Sequence, residues 1–226
     1  MPVYNEEKIL EKNILRLKEF LDLNFKYLYL IEIVDNASTD RTPEISKKLS
    51  KLKNINYLQL KEKGKGLAIK ASWKTPPKDI TILSFMDCDL ATDLKQFPEL
   101  IDSIIIDNYD LSIGSRYEKN SKTKRSIKRW IISRCYNVLL RVFLNIKVKD
   151  TQCGFKAIKK NKYDLIKNKI EDNKFFIDTE IIYYSSKNKY KIKSIPVKWK
   201  ESKTTTVNIF GSSVSFIKNI FKLYFK

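Results

Sequence analysis

The chain contains no histidine at all. That excludes Ser-His and Cys-His nucleophiles, H-E-x-x-H metal sites and imidazole general bases together. Cysteine is scarce: Cys88, Cys135 and Cys153 are odd in number and show no C-x-x-C spacing. This points to reduced thiols in a cytosolic setting, not to a disulfide framework. No apolar run approaches the roughly 18 residues that cross a bilayer, so the chain is not expected to span one. The opening MPVYNEEKIL holds acids and lacks the apolar stretch of a secretory signal. Acids are also in short supply, 26 Asp+Glu against 45 Lys+Arg, for a formal charge of +19. The groups left to carry chemistry are carboxylates, Lys and Arg, hydroxyls, thiols, or a metal on oxygen ligands.

What is present reads as one globular domain. The 226 residues are 42% hydrophobic and 12% aromatic, enough for a proper core. The positive charge points to a polyanionic partner such as a nucleic acid, a nucleotide or anionic lipid. Its distribution is more telling than its total. Residues 81–115 carry seven acids and one base, whereas 116–149 carry eleven bases and one acid.

Periodicity gives an alternating pattern. Apolar positions Ile9 to Leu21 recur at helical spacing, predicting a helix over 6–24. YLYLIEIV (27–34) reads as a buried strand ending in the polar turn DNASTD. Thr42, Pro43 and Glu44 form an N-cap, N1, N2 set for a helix to about residue 52. INYLQL (55–60) is a strand, KEKGKG a turn, and a short helix follows from Leu67. ITILSFM (80–86) is a strand, Asp93 caps a helix through Ile106, and DLSIGS (110–115) is a strand. This order predicts a doubly wound α/β layer with parallel strands, whose ligands sit beyond the carboxyl ends of the strands. DNASTD, KGKG, DCD and GSR all fall there. Farther on, 126–145 is a long helix mixing Arg and Lys into wide apolar content, and 191–199 is a strand. In the tail Lys218, Lys222 and Lys226 stand four apart among Phe, Ile and Tyr.

Asp87 and Asp89 point the same way from an extended segment, about 6.6 Å apart. Together they suit a hard cation shared with phosphate oxygens, Mg²⁺ or Mn²⁺. The plain alternative is an acidic loop. Asp35 is either a ligand for a nucleobase or ribose, or part of a turn that caps the next helix. KEKGKGLAIK resembles a phosphate-binding turn but lacks P-loop spacing and G-x-G-x-x-G. Helix 126–145 fits a solvated face, a core helix, or a helix lying in a membrane interface with its cations near lipid phosphates.

Eight motifs in order carry a resemblance: PVYNEE, VDNASTD, KGKGLAIK, MDCDLATD, GSRY, DTQCGFK, FIDTEII and IPVKW. Together they resemble the family 2 glycosyltransferases of GT-A fold over about residues 2–200. The branch most similar is that of the polyprenyl-phosphate sugar transferases, of the dolichyl-phosphate β-glucosyltransferase type. The resemblance implies a Rossmann-like three-layer sandwich with a mostly parallel central sheet over 1–205, followed by an amphipathic tail, 206–226. It implies nucleotide contacts at Pro2, Tyr4, Glu6, Asp35, Lys65, Gly66 and Asp87, and a cation on Asp87 and Asp89. Catalytic positions would be Asp89, Arg116, Asp150 and Asp178. Arg125, Arg129, Arg134 and Gln152 would meet the acceptor's phosphate, and Glu180 falls among the sugar-side polar positions.

The implied reaction is inverting transfer of a sugar, glucose from UDP-glucose, to a polyprenyl or dolichyl monophosphate. It would take place on the cytoplasmic face of a membrane, with the protein peripheral there. The alternatives are another donor such as GDP-mannose, a saccharide acceptor, an inactive relative, or a nucleic-acid-binding protein. No RNP, KH or zinc pattern supports the last. Three departures stand out. The chain begins at the family's Pro-x-Tyr-Asn-Glu, so the first strand is expected to be missing, as in a fragment or from a misplaced start. Ala91 stands where mannosyl relatives place a metal-binding Gln. Lys203-Thr204-Thr205-Thr206 replaces the usual Gly-Ser-Lys turn.

Overall fold

The computed structural model describes residues 1–124, 126–201 and 209–226, without the side chains of 128, 129 and 209–214. Arg125 and the Lys203–Thr206 turn lie outside the described residues.

The first strand of the chain is two residues long. β1 (Pro2–Val3) runs parallel to β2 (Ile31–Asp35), and β2 to β3 (Ile55–Gln59). Between them lie helices α1 (Leu10–Asn24) and α2 (Thr42–Leu49). α1 starts four residues later than its periodicity predicts. The backbone N–H groups of Glu6 and Glu7 are drawn instead to Thr42 Oγ1 and Asp40 Oδ2, at 2.8 and 3.2 Å. Thr42 is therefore not the cap of α2. Asp40 Oδ1 accepts the Thr42 N–H at 2.9 Å, and the helix begins at Thr42 itself. β2 likewise begins at Ile31, not at 27. Leu28 is fully exposed, while the hydroxyls of Tyr27 and Tyr29 bind Asp102 and Asp22.

After α3 (Lys65–Lys74) comes β4 (Ile82–Met86). Asp93 caps a 3-10 turn, accepting the Lys95 N–H, and that turn runs into α4 (Phe97–Ile105). β5 (Leu111–Ser115) and β6 (Lys122–Lys124) precede the long α5 (Ile127–Leu144). β7 (Phe155–Lys159), α6 (Lys160–Ile166) and α7 (Ile177–Lys187) follow, then β8 (Ile192–Pro196), β9 (Lys198–Lys200) and α8 (Ile209–Tyr224).

The strand order β4-β7-β5-β8 places β7 antiparallel between β4 and β5, and β8 parallel to β5. The three-stranded part, β1-β2-β3, stands apart from it in hydrogen bonding. Apolar packing joins the two parts: Val3, Ile33, Met86 and Cys88 share one core with α1 and α4. A second core, against α3 and α5 to α8, lies on the opposite face around Phe85, Leu111, Ile113 and Ile158. The result is helices on both faces of a mostly parallel sheet, a GT-A architecture. The end of the tail is packed: Ile220 and Leu223 join the second core, and Phe143 of α5 meets Phe221 and Tyr224 edge to face.

Candidate active site

The expected crevice forms where β1, β2, β4 and β5 end. Left-handed backbone turns help to build it: Asn5 (φ 52°), Ala37 (φ 60°) and Leu90 (φ 47°) each follow a site strand. For Ala and Leu this conformation carries a cost of about 1 kcal/mol or more, the kind of strain that clusters where function needs a particular turn. At Leu90 the chain folds back so that Asp89 Oδ1 accepts the Ala91 N–H at 3.0 Å.

Asp35, fully buried at the end of β2, accepts the Ser38 N–H at 3.0 Å and faces the Tyr57 hydroxyl at 3.5 Å. Burial, then the Asp35 charge, pushes the Tyr57 phenol up to about 12. Tyr4 of the opening motif has its ring under the Lys63 ammonium, 3.5 Å from the ring centre. Pro2 is spent on pairing with Val34.

Asp87, Asp89 and Glu6 form an acidic cluster. Burial, and then Asp89, Asp40 and Asp87 in turn, push Glu6 up to about 7. Burial and Asp87 raise Asp89 as well. Carboxylates that disfavour one another's charge suit a cation. No group of three Asp, Glu or Cys with metal-binding geometry occurs among the described residues. Asp87 and Asp89 by themselves would leave a hard ion to take its remaining ligands from phosphate and water. Gly154 makes room for Asp87: a Cβ there would stand 1.9 Å from Asp87 Oδ2. The Asp89 loop is strapped from outside by β9, through Asp93 N–H to Lys198 O at 2.9 Å and Lys200 N–H to Ala91 O at 3.0 Å. Trp199 of that strap and Asp87, Asp89 and Gly154 line one small cavity.

Lys65, at the first turn of α3, reaches Asp87 Oδ1 and Asp178 Oδ2, both at 3.0 Å. Burial draws its pKa down, but Asp178 and Asp87 outweigh that and hold it above the usual lysine range. Gly66 and Gly64 serve packing: a Cβ on either would fall 2.4 or 2.3 Å from the carbonyl oxygens of Asp172 or Asn173.

Two expected catalytic carboxylates are buried in ion pairs. Asp150 is gripped by Arg116, Nε to Oδ2 and Nη2 to Oδ1 at 2.8 Å each, and by the Arg116 N–H at 2.9 Å. Burial opposes its charge, yet Arg116 keeps its pKa below the ordinary carboxylate range. The Arg116 guanidinium also lies 5.3 Å from the Trp199 ring centre. Asp178 binds Lys65 and the buried Lys156, whose ammonium also donates to the Cys153 carbonyl. Its pKa is held down against burial by Lys156 and then Lys65. Lys156 was not anticipated as a site residue. Its one signal is a lysine second in the strand FKAIK, on the same face as Ile158. The thiols of Cys88 and Cys153 are buried and raised by that burial, so both stay protonated.

Gln152 faces the helices: its Nε2 donates to Thr179 Oγ1 at 2.8 Å, and Tyr136 of α5 shares that hydroxyl at 2.7 Å. Glu180 accepts the Asp172 N–H at 2.8 Å, below the site. Arg134 stacks on Tyr117 (4.7 Å) and Trp130 (5.3 Å), and the Tyr117 hydroxyl meets Ser133 at 2.5 Å. Helix α5 is thereby fastened to the residue after Arg116. Of Arg129 only its place in α5 is described. On the outer side of α5, Ile127, Ile131, Val138 and Val142 form an exposed stripe, edged by Arg134 and Arg141. Phe221 and Tyr224 of α8, and Phe225 just after it, are exposed as well. No helix of the described residues is long and apolar enough to cross a membrane.

Comparison with known proteins agrees with this arrangement. Residues 1–166 match the family model described as glycosyl transferase family 2. Glycosyltransferase AglD of Haloferax volcanii is 30% identical over 213 residues, 92% of this chain but 34% of that protein. Dolichyl-phosphate beta-glucosyltransferase of Dictyostelium discoideum is 30% identical over 242 residues, covering 100% of this chain and 73% of its own. Among solved structures, glucosyl-3-phosphoglycerate synthase from Mycobacterium tuberculosis in complex with UDP superimposes with a TM-score of 0.71. It is 16% identical and covers 99% of this chain and 78% of that one. The same enzyme was also solved with Mn²⁺, UDP-glucose and phosphoglyceric acid, again at a TM-score of 0.71 and 13% identity, covering 99% and 77%.

Proposed function

The chain belongs to glycosyl transferase family 2, in the dolichyl-phosphate sugar transferase branch, and is a glycosyltransferase; on that premise we propose that it moves glucose from UDP-glucose to a polyprenyl or dolichyl monophosphate. The observation that carries this reading is the Tyr117–Ser133 and Tyr117–Arg134 junction. It joins the crevice at the end of β5 to an exposed apolar and basic helix.

Asp35 receives the base or ribose, Tyr4 and Glu6 flank it, and Lys65 faces the diphosphate. Asp87 and Asp89 would hold Mg²⁺ or Mn²⁺, which would offset the negative charge that grows on the departing diphosphate. Arg116 and Asp150 act as a fixed pair that shapes the acceptor side, with Gln152 and Asp178 behind it. Arg134, with Arg125 and Arg129 nearby in sequence, attracts the lipid phosphate. That phosphate has a second pKa of about 6, so its oxyanion attacks the anomeric carbon without a general base. The new bond forms between that oxygen and the anomeric carbon as UDP leaves with the bonding electrons. In-line displacement turns the α-linked donor into a β-linked product. A histidine-free chain with the buried Asp150 and Asp178 tied up in ion pairs suits this chemistry.

The stripe of α5, the end of α8 and their lysines and arginines would seat the protein on the cytoplasmic face of a membrane. Each basic residue adds about 1 kcal/mol near an anionic surface, so a few suffice for reversible attachment. The test is transfer of radiolabel from UDP-glucose into chloroform-soluble polyprenyl phosphate, abolished by Asp89→Ala. Label found only in water-soluble product would overturn the lipid acceptor. Transfer from GDP-mannose alone would overturn the donor.

A further inference from the structure

Four side chains alternate in charge from the core outward: Lys156, Asp178, Lys65 and Asp87. Their side chains are 1%, 2%, 11% and 48% exposed. Lys156 meets Asp178 Oδ1, and Lys65 bridges Asp178 Oδ2 and Asp87 Oδ1 at 3.0 Å each. Two ammonium groups balance two carboxylates, so the string carries no net charge. Its outer end, Asp87, is one of the two carboxylates read above as holding the divalent cation. By contrast, neither Asp89 nor Glu6 has an ion pair with Lys or Arg among the described residues.

We infer that Lys65 is an internal lock on the cation site. Its ammonium is paired with Asp87 and competes there with a divalent cation. An incoming nucleoside diphosphate opens the lock by giving Lys65 a second set of anionic partners. A lysine and a divalent cation repel one another across a single carboxylate, and diphosphate oxygens between them relieve that repulsion. Lys156 is the positioning residue of the device. By neutralising Asp178 from the core side, it keeps Asp178 from drawing Lys65 away from Asp87. Cation and nucleotide then enter with mutual gain in affinity, and the cation alone is held off.

This inference rests on the proposal that Asp87 and Asp89 hold the cation beneath a nucleotide. The experiment measures Mn²⁺ binding to the full chain from loss of the free-ion EPR signal, with and without UDP or GDP. Removing the competing charge in Lys65→Met or Lys65→Gln should tighten Mn²⁺ binding in the absence of nucleotide, by about tenfold for each 1.4 kcal/mol of competition removed. The same variants should bind UDP more weakly and show less coupling between UDP and Mn²⁺. Lys65→Arg should behave as the wild type, and Lys156→Met should fall between the two. Circular dichroism establishes that each variant is folded. A folded Lys65→Met or Lys65→Gln that binds Mn²⁺ alone no better than wild type overturns the lock. A wild-type chain that binds Mn²⁺ neither alone nor with either nucleotide overturns the cation reading and the lock with it. Coupling to GDP instead of UDP removes the proposed donor and leaves the lock standing.

Discussion

Arg116→Ala separates a structural cation from one that serves a ligand. In the folded chain Arg116 makes two side-chain hydrogen bonds of 2.8 Å to Asp150, and the two side chains are 12% and 1% exposed. Removing one partner of a buried pair costs about 3–5 kcal/mol, because the other charge stays behind unpaired. Asp150 would keep the N–H donors of residue 116 and of Gln152, which puts the expected loss near the lower end of that range. For a chain of this size, about 3 kcal/mol corresponds to a melting point lower by about 6–12 °C. The pH dependence has a definite sign. The folded pKa of Asp150 is depressed, so its contribution is full above the unfolded value of about 3.9 and is lost as pH falls through the folded value. The deficit of the variant should therefore be largest at neutral pH and shrink in acid. Scanning calorimetry or circular dichroism melts from pH 3 to 8 measure it. A variant melting within about 2 °C of wild type, yet inactive, would refute the structural reading and return Arg116 to the catalytic role that the resemblance implies.

Three further outcomes are expected. Gly154→Ala places a methyl group where Asp87 Oδ2 now stands; Mn²⁺-dependent UDP binding, measured calorimetrically, should fall at least about tenfold while the far-UV spectrum stays unchanged. Glu6 has its pKa raised to about 7, so it binds a proton more tightly folded than unfolded. Metal-free stability should then fall as pH rises from about 4.3 through about 7, and Glu6→Gln should flatten that slope in urea melts. Ile131→Glu with Val138→Glu alters only exposed positions of α5; stability should change by less than about 0.5 kcal/mol per site, and sedimentation with anionic vesicles should drop sharply.

Much of this was legible in the sequence because it rests on local pattern. The ends of β2, β4 and β5 follow from apolar runs stopping at DNASTD, DCD and GSR, and their convergence follows from the α/β order. β7 was not legible. Lys156 interrupts its apolar run, and an antiparallel strand arriving after a long helix breaks the βα rhythm. The partners of Asp150 and Asp178 were hidden for a different reason. Sequence shows a carboxylate near a crevice, but not whether a distant lysine or arginine has already taken its charge. Thr42 shows the same limit on a small scale, since its hydroxyl goes to Glu6, far away in the chain. Motif matching placed Lys65 and Gly66 together. Only the packing separates their jobs, one a charge facing Asp87 and the other a gap that admits residues 172 and 173.

Trp199 lines the Asp87–Asp89 cavity and lies beside Arg116, and the chain has only two other tryptophans. Trp73 is 4% exposed in the core against Tyr163, and Trp130 is 46% exposed on α5. Three indoles thus occupy three settings: interior, site and outer helix. Single-tryptophan versions of the chain would report unfolding, cation entry and surface attachment as separate fluorescence signals, with no label added.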